Sequence, residues 1–171
     1  MKSIKYCLLA FFAVVGCNFA KADGGYNIKV HIDGLADSTV YLGYYFGDKQ
    51  YVKDTLKLDK KANGTFKGTK PLEGGIYFVL VPGNTFFELM IDKEQDFSVS
   101  TKFTGDAADL TKCLKSEGSA EVGMYVDYQQ FMSAQNAKAL GLRKRLTKAK
   151  GNEEKAIKDS LAILSNEVMA R

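Results

Sequence analysis

Between Tyr26 and Ser100 apolar side chains return at every second residue, a period that brings them to one face only when the chain is extended. Tyr26, Ile28, Val30 and Ile32 alternate with Asn27, Lys29, His31 and Asp33, so the first strand has one apolar face and one wet face. Asp33-Gly34 turns the chain, after which Val40, Leu42, Tyr44 and Phe46 share one side and Tyr41 and Tyr45 the other. Gly47-Asp48-Lys49-Gln50 supplies a hairpin connection into a third strand from Tyr51 to Leu58, and Asn63-Gly64 turns into a short strand around Phe66. The run Ile76-Tyr-Phe-Val-Leu-Val81 does not alternate at all, as expected of a central strand covered on both sides. Phe86 to Ile91 and Phe97 to Thr101 bring the count to about seven short strands separated by turn residues. The expectation for residues 23–117 is an antiparallel β-sandwich or barrel.

After Gly118 the period becomes helical. Ser119 suits an N-cap, and Val122, Tyr125, Val126 and Met132 fall on one side of a helix expected to run to about Lys148. Gly151-Asn152 interrupts it, Glu153 and Glu154 suit the positive end of a second helix, and Ile157, Leu161, Leu164 and Val168 recur at three-to-four spacing. The fold class is thus mainly β with C-terminal α, and residues 118–171 form a helical hairpin or linker. Its apolar stripe is thin, so it calls for a partner surface: the sandwich, another chain, or a further domain. Charge divides along the same lines. Residues 23–137 hold 12 basic and 16 acidic groups, whereas 138–171 hold 9 and 4, a net of −4 against +5.

The first 22 residues read as an export signal. Lys2 and Lys5 form a positive start, Cys7 to Val15 is an uncharged apolar run, and that run is shorter than the ~20 residues a membrane-spanning helix needs. Ala20-Lys21-Ala22 offers small residues at Ala20 and Ala22 for a general signal peptidase; Val14-Val15-Gly16-Cys17 offers a lipobox with Cys17 as the acylated first residue. Either route places the chain in the cell envelope, in the periplasm or at the outer membrane, with membrane attachment only through a lipid on Cys17. Removing Lys2, Lys5 and Lys21 from the 24 basic residues leaves 21 against 20 acidic, so the basic balance belongs mostly to the leader. Cys113 is then the one thiol of the folded part, which excludes an internal disulfide. It is expected to behave as a small packing residue.

The stretches Tyr26-Asn-Ile-Lys-Val30, Val40 to Asp54, Gly75-Ile-Tyr77, Phe87, Ile91-Asp-Lys-Glu-Gln95 with Phe97, and Gly118-Ser119 followed by Asp127-Tyr128 resemble a known domain type. It is the uncharacterised N-terminal β-domain that precedes the thioredoxin-like domain in exported TlpA/ResA-type thiol-disulfide oxidoreductases of Gram-negative bacteria. The resemblance covers about residues 26–132. It implies a partner, the thioredoxin-like domain, and it implies that the redox chemistry belongs to a Cys-x-x-Cys pair absent from these 171 residues. No catalytic residue and no cofactor carry over, and the expectation is a non-catalytic binding or positioning module. The alternative is a stand-alone envelope protein that binds a peptide, a glycan or an envelope component.

Other constellations point the same way. Tyr41, Tyr45 and Tyr51, with Tyr44 and Phe46, concentrate aromatics on one hairpin; they are the candidate binding surface, set against simple cross-strand pairing and core filling. Asp92-x-Glu94-x-Asp96 has the alternate spacing of a calcium loop, but Phe97 follows where such a loop needs Gly. A solvated turn is expected there and no metal. Arg143-Lys-Arg145 with Lys138, Lys148 and Lys150 makes a basic helix face without interleaved aromatics, which argues against nucleic acid. The lone His31 cannot assemble a triad or a multi-histidine metal site.

Overall fold

The computed structural model describes residues 24–171, so the cleavage residues Ala20 and Ala22 and the lipidation candidate Cys17 lie outside the described residues. Eight strands follow in order: β1 (Tyr26–Asp33), β2 (Thr39–Phe46), β3 (Lys49–Lys57), β4 (Asn63–Gly68), β5 (Gly75–Val81), β6 (Thr85–Ile91), β7 (Asp96–Lys102) and β8 (Lys115–Glu117). A short helix, α1 (Ala107–Lys112), precedes β8, and the hairpin α2 (Ala120–Leu146) and α3 (Asn152–Met169) completes the chain. The strands form two separate four-stranded sheets, ordered β4-β1-β7-β8 and β3-β2-β5-β6, which is the sandwich and not the barrel.

The alternation in the sequence maps onto this directly. Ile28, Val30 and Ile32 of β1 point into the core while Lys29 and Asp33 face water. Across the sandwich Val40 and Leu42 of β2, Tyr77 and Val79 of β5, and Phe87 and Leu89 of β6 meet them in one continuous cluster. Burying a side chain of this size contributes roughly 1.5–3 kcal/mol, which is why both sheets keep their apolar faces inward.

Two expectations are corrected. β1 and β7 pair in parallel, Ile28 opposite Phe97 and Val30 opposite Val99, within sheets that are otherwise antiparallel. Both strands keep one wet face, so neither shows the continuous apolar run that usually marks parallel pairing. Phe46 is 73% exposed and does not join Val40 and Leu42 in the core. It shares their side by parity, but it sits at the tip of the β2–β3 hairpin, closed through Gly47-Asp48, where the opposite sheet no longer covers it.

The core also runs past residue 118. Leu110 of α1, Leu114, and Val122 and Val126 of α2 are buried in the same cluster as the strands, and the two helices close the side of the sandwich next to β6 and β8. Ser119 caps α2 as expected, its Oγ accepting from the Val122 N–H at 3.2 Å. The acidic β6–β7 turn feeds the same helix start: Glu94 accepts from the Ala120 N–H at 2.5 Å, and Glu121 accepts from the Lys93 N–H at 3.1 Å. Beyond the sandwich α2 is accompanied by α3. Their seam holds the buried Ile157 and Gln135, whose Nε2 donates to Glu167 at 2.9 Å.

Candidate functional site

The two outer faces of the sandwich differ in character, and the difference follows from which residues fill the outward positions. On the β3-β2-β5-β6 sheet these include Val52, Tyr41, Gly43, Tyr45, Phe78 and Phe86, mostly apolar and aromatic, with the Glu88 carboxylate among them. Phe78 is only 4% exposed although it faces away from the core cluster. Its ring lies across the bare backbone of Gly43, where a Cβ would stand 2.2 Å from Phe78 Cζ. Tyr45 and Phe86 flank it at ring-centroid distances of 5.2 and 5.6 Å, in tilted pairs. Gly43 therefore makes room for an aromatic layer laid on the outside of the sheet, with Tyr41, Tyr45, Val52 and Phe86 as its exposed members.

Glu88 ties this layer to the helix. Its carboxylate accepts from the Tyr45 hydroxyl at 2.7 Å and from the Tyr125 hydroxyl of α2 at 3.1 Å, and its carbonyl accepts from Gln129 Nε2 at 3.0 Å. Both hydroxyls are pushed up to about 12, first by burial and then by the neighbouring Glu88 carboxylate. At neutral pH the two tyrosines are therefore neutral hydroxyl donors to Glu88.

The candidate surface of Tyr41, Tyr45 and Tyr51 is divided by the fold. Tyr41 and Tyr45 share the outer layer; Tyr51 lies on the opposite side of the sheet, stacked on Tyr44 at 5.6 Å, with Tyr77 against the other side of Tyr44 at 6.2 Å. Tyr26 sits at the same end of the core and donates to Asp54 at 2.9 Å, which together with burial pushes its hydroxyl up to about 12. Tyr51 thus makes the cross-strand pair, while the outward residues that the sequence reading missed are Phe78 and Phe86. Their signal was the unbroken run of β5 together with Phe86-Phe87, where two successive aromatics must face opposite ways.

The outer face of the other sheet is polar. Lys29 and His31 of β1, Ser98 and Ser100 of β7, and Lys115 and Glu117 of β8 line a shallow groove of about 570 Å³. His31 Nδ1 lies 3.0 Å from Asn63 Oδ1. The carboxylates of Asp92, Glu94 and Asp96 diverge, since Glu94 reaches the start of α2 and Asp96 accepts from Asn27 at 2.8 Å. Among the described residues no three His, Cys, Asp or Glu side chains come together as a metal site. Cys113 is half-buried at the C-terminus of α1, its N–H donating to the Asp109 carbonyl. Among the described residues no helix is long and apolar enough to cross a membrane.

These features define a class: a mainly β, two-sheet sandwich closed by helices, with one aromatic and one polar outer face. The chain belongs to the family described as Domain of unknown function (DUF4369), whose model matches residues 26–122, more than half of the chain. No curated protein matches it. Among solved structures, that of an (S)-allantoin synthase aligns with a TM-score of 0.41 at 10% identity, covering 57% of this chain. The chain spans 45% of that protein's length.

Proposed function

We propose that this chain is a non-catalytic binding module of an exported thioredoxin-like oxidoreductase of the TlpA/ResA type, and that its aromatic layer positions the redox domain. The observation that carries the reading is the outer face of the β3-β2-β5-β6 sheet. A set of exposed aromatics fixed in place by Gly43, Phe78 and Glu88 offers rigid apolar contact area at small entropic cost, as protein-docking surfaces do. The resemblance over residues 26–132 supplies the identity of the partner, and the positive start and small-residue motif of the first 22 residues support export, by cleavage after Ala22 or acylation at Cys17.

The test places a photo-crosslinking phenylalanine analogue at Tyr41 on the aromatic face or at Lys29 on the polar face, with irradiation in the cell envelope. Position 41 should capture peptides of a thioredoxin-fold domain carrying Cys-x-x-Cys, and position 29 should not. Capture from position 29 alone, or no such domain from position 41, would sink the proposal. Mass spectrometry of the same protein checks export through an N-terminus at Asp23 or a lipidated Cys17.

The polar groove favours a second reading, in which a stand-alone envelope protein holds a glycan. Hydroxyls of Ser98 and Ser100 beside Lys29, Lys115 and Glu117 give both donors and acceptors on one shallow face. Oligosaccharide titrations that shift backbone resonances of Ser98 and Ser100, with the aromatic face unmoved, would move the assignment to this reading.

A further inference from the structure

A separate surface lies on the helical hairpin, on neither outer face of the sandwich. The packing partner of α3 is α2, and of the α3 side chains only Ile157 is buried. Leu161, Leu164 and Val168, with Leu142 and Leu146 of α2, remain half-exposed although they lie at the spacing of a core stripe. Two helices alone leave such residues partly uncovered, because one neighbour shields only one side of a helix.

A groove of about 580 Å³ opens between the helices, lined by Leu142, Ile163 and Leu164, with Gly141 and Ser160 beside them and Lys138 and Arg145 at its rim. Gly141 is the gap in the α2 ridge: a Cβ there would meet nothing within 4 Å. Both charged residues that line the groove are cations, and the whole stretch 138–171 carries nine basic against four acidic groups. The Arg145–Glu153 ion pair at 3.2 Å is exposed on both sides and neutralises little.

We propose that this groove docks an amphipathic helix of a partner protein, its apolar ridge seated over Gly141, Leu142, Ile163 and Leu164 and its flanks acidic. The shape selects a helix, since a groove between two packed helices accepts the ridge of a third at a spacing of about 8–10 Å. The charge selects an acidic one and disfavours the hairpin of a second copy, which would set a net charge of +5 against another of +5. A bilayer surface fits less well, since residues 138–171 contain no aromatic side chain to anchor at an interface.

The experiment uses residues 23–171 and two fluorescent 18-residue peptides with the same leucine stripe, one flanked by Glu and the other by Lys. The Glu peptide should bind, and the Lys peptide should bind at least about tenfold more weakly. Gly141→Leu, which fills the gap at an exposed helical position, should weaken the Glu peptide by about tenfold or more while the thermal midpoint of the chain holds or rises. Hydrogen exchange should slow at Leu142 and Leu164 on binding. Equal affinity for both peptides, or binding untouched by Gly141→Leu, overturns the proposal. So does self-association of the chain that Gly141→Leu abolishes, or binding to phosphatidylglycerol vesicles in preference to the Glu peptide.

Discussion

If Phe78 lies over Gly43 as described, adding one methyl group at position 43 and removing the ring at position 78 must be strongly coupled. The Gly43→Ala methyl would fall 2.2 Å from Phe78 Cζ and 2.4 Å from Cε2. Carbon contacts are comfortable from about 3.5 Å, so the ring has to retreat by roughly 1.3 Å. Tyr45 and Phe86 stand on its two sides and resist that retreat. Overpacking of this kind costs about 1–3 kcal/mol. Loss of glycine's extra freedom in the unfolded chain returns about 0.4–1 kcal/mol, leaving Gly43→Ala destabilising by about 1–2 kcal/mol. Phe78→Ala should cost about 3 kcal/mol, the low end for a buried phenylalanine, because partly exposed Tyr45 and Phe86 can settle into the space. In the double variant the new methyl enters the vacated volume. Its total should therefore stay near 2–3 kcal/mol, a coupling of about 1–3 kcal/mol. Urea unfolding of the four proteins measures this through their midpoints at constant slope. Gly75→Ala is the control, since its methyl meets nothing within 4 Å. Additivity within about 0.5 kcal/mol would show that the ring does not lie on Gly43, and the aromatic layer would lose its foundation.

Two further expectations follow from the same structure. Tyr26, Tyr45 and Tyr125 stand near 12 when folded against an ordinary value of 10.0, so the folded chain keeps protons that the unfolded chain releases. Stability from these groups is complete below pH 10 and falls as pH climbs from 10 to 12; ultraviolet titration should show a late phenolate step, and Glu88→Gln should bring part of it downward but not to 10, because burial is the larger cause. Residues 23–117 alone should be several kcal/mol less stable than residues 23–132 by urea unfolding, since Val122 and Val126 each bury a side chain worth about 1.5–3 kcal/mol, and limited proteolysis should cut near Gly151 well before Gly118, which packs against Phe97; first cleavage at Gly118 would contradict this packing.

The sandwich was legible because one-sided burial imprints a period of two on most of its strands, while β5 was read from its unbroken apolar run. The eighth, β8, is three residues long and shows no alternation. Helix α1 spans six residues, and its signal was local: Asp106 as N-cap, its Oδ1 accepting from the Ala108 N–H at 2.9 Å. Such short elements form because the surrounding core holds them, Leu110 and Leu114 being buried there. The helical hairpin announced itself through Ser119 and the interruption at Gly151. That α2 helps to close the sandwich was not written in its period, since a helical stripe says that something covers it and not what.

The candidate surface was legible only in part, and a single residue explains the rest. From Thr39 to Leu42 the partners of β2 on β3 run from Lys57 to Asp54; beyond a bulge, Gly43 faces Val52 and Tyr44 faces Tyr51. Had the first register continued, Tyr51 would stand opposite Tyr45 and share its outward face. The extra residue, Lys53, shifts the pairing by one, and a shift of one turns every later side chain to the other side of the sheet. Tyr51 thereby becomes the partner of Tyr44 at the end of the core, and Val52 takes its place outside, 60% exposed. Bulges have no strong signature in a single sequence because they are set by what the hairpin turn and the core each demand. Here the two-residue turn at Gly47-Asp48 fixes one register and the buried Val40 and Leu42 fix another, and Lys53 absorbs the difference. Deleting Lys53 would let the two registers run on as one, with Asp54 still opposite Leu42, Val52 opposite Gly43 and Tyr51 opposite Tyr44, so Tyr51 should keep its place and the outer layer its members. Only a ladder that kept Lys53 and paired it would carry Tyr51 opposite Tyr45, and by standing outside the ladder that one residue decides the make-up of the outer surface.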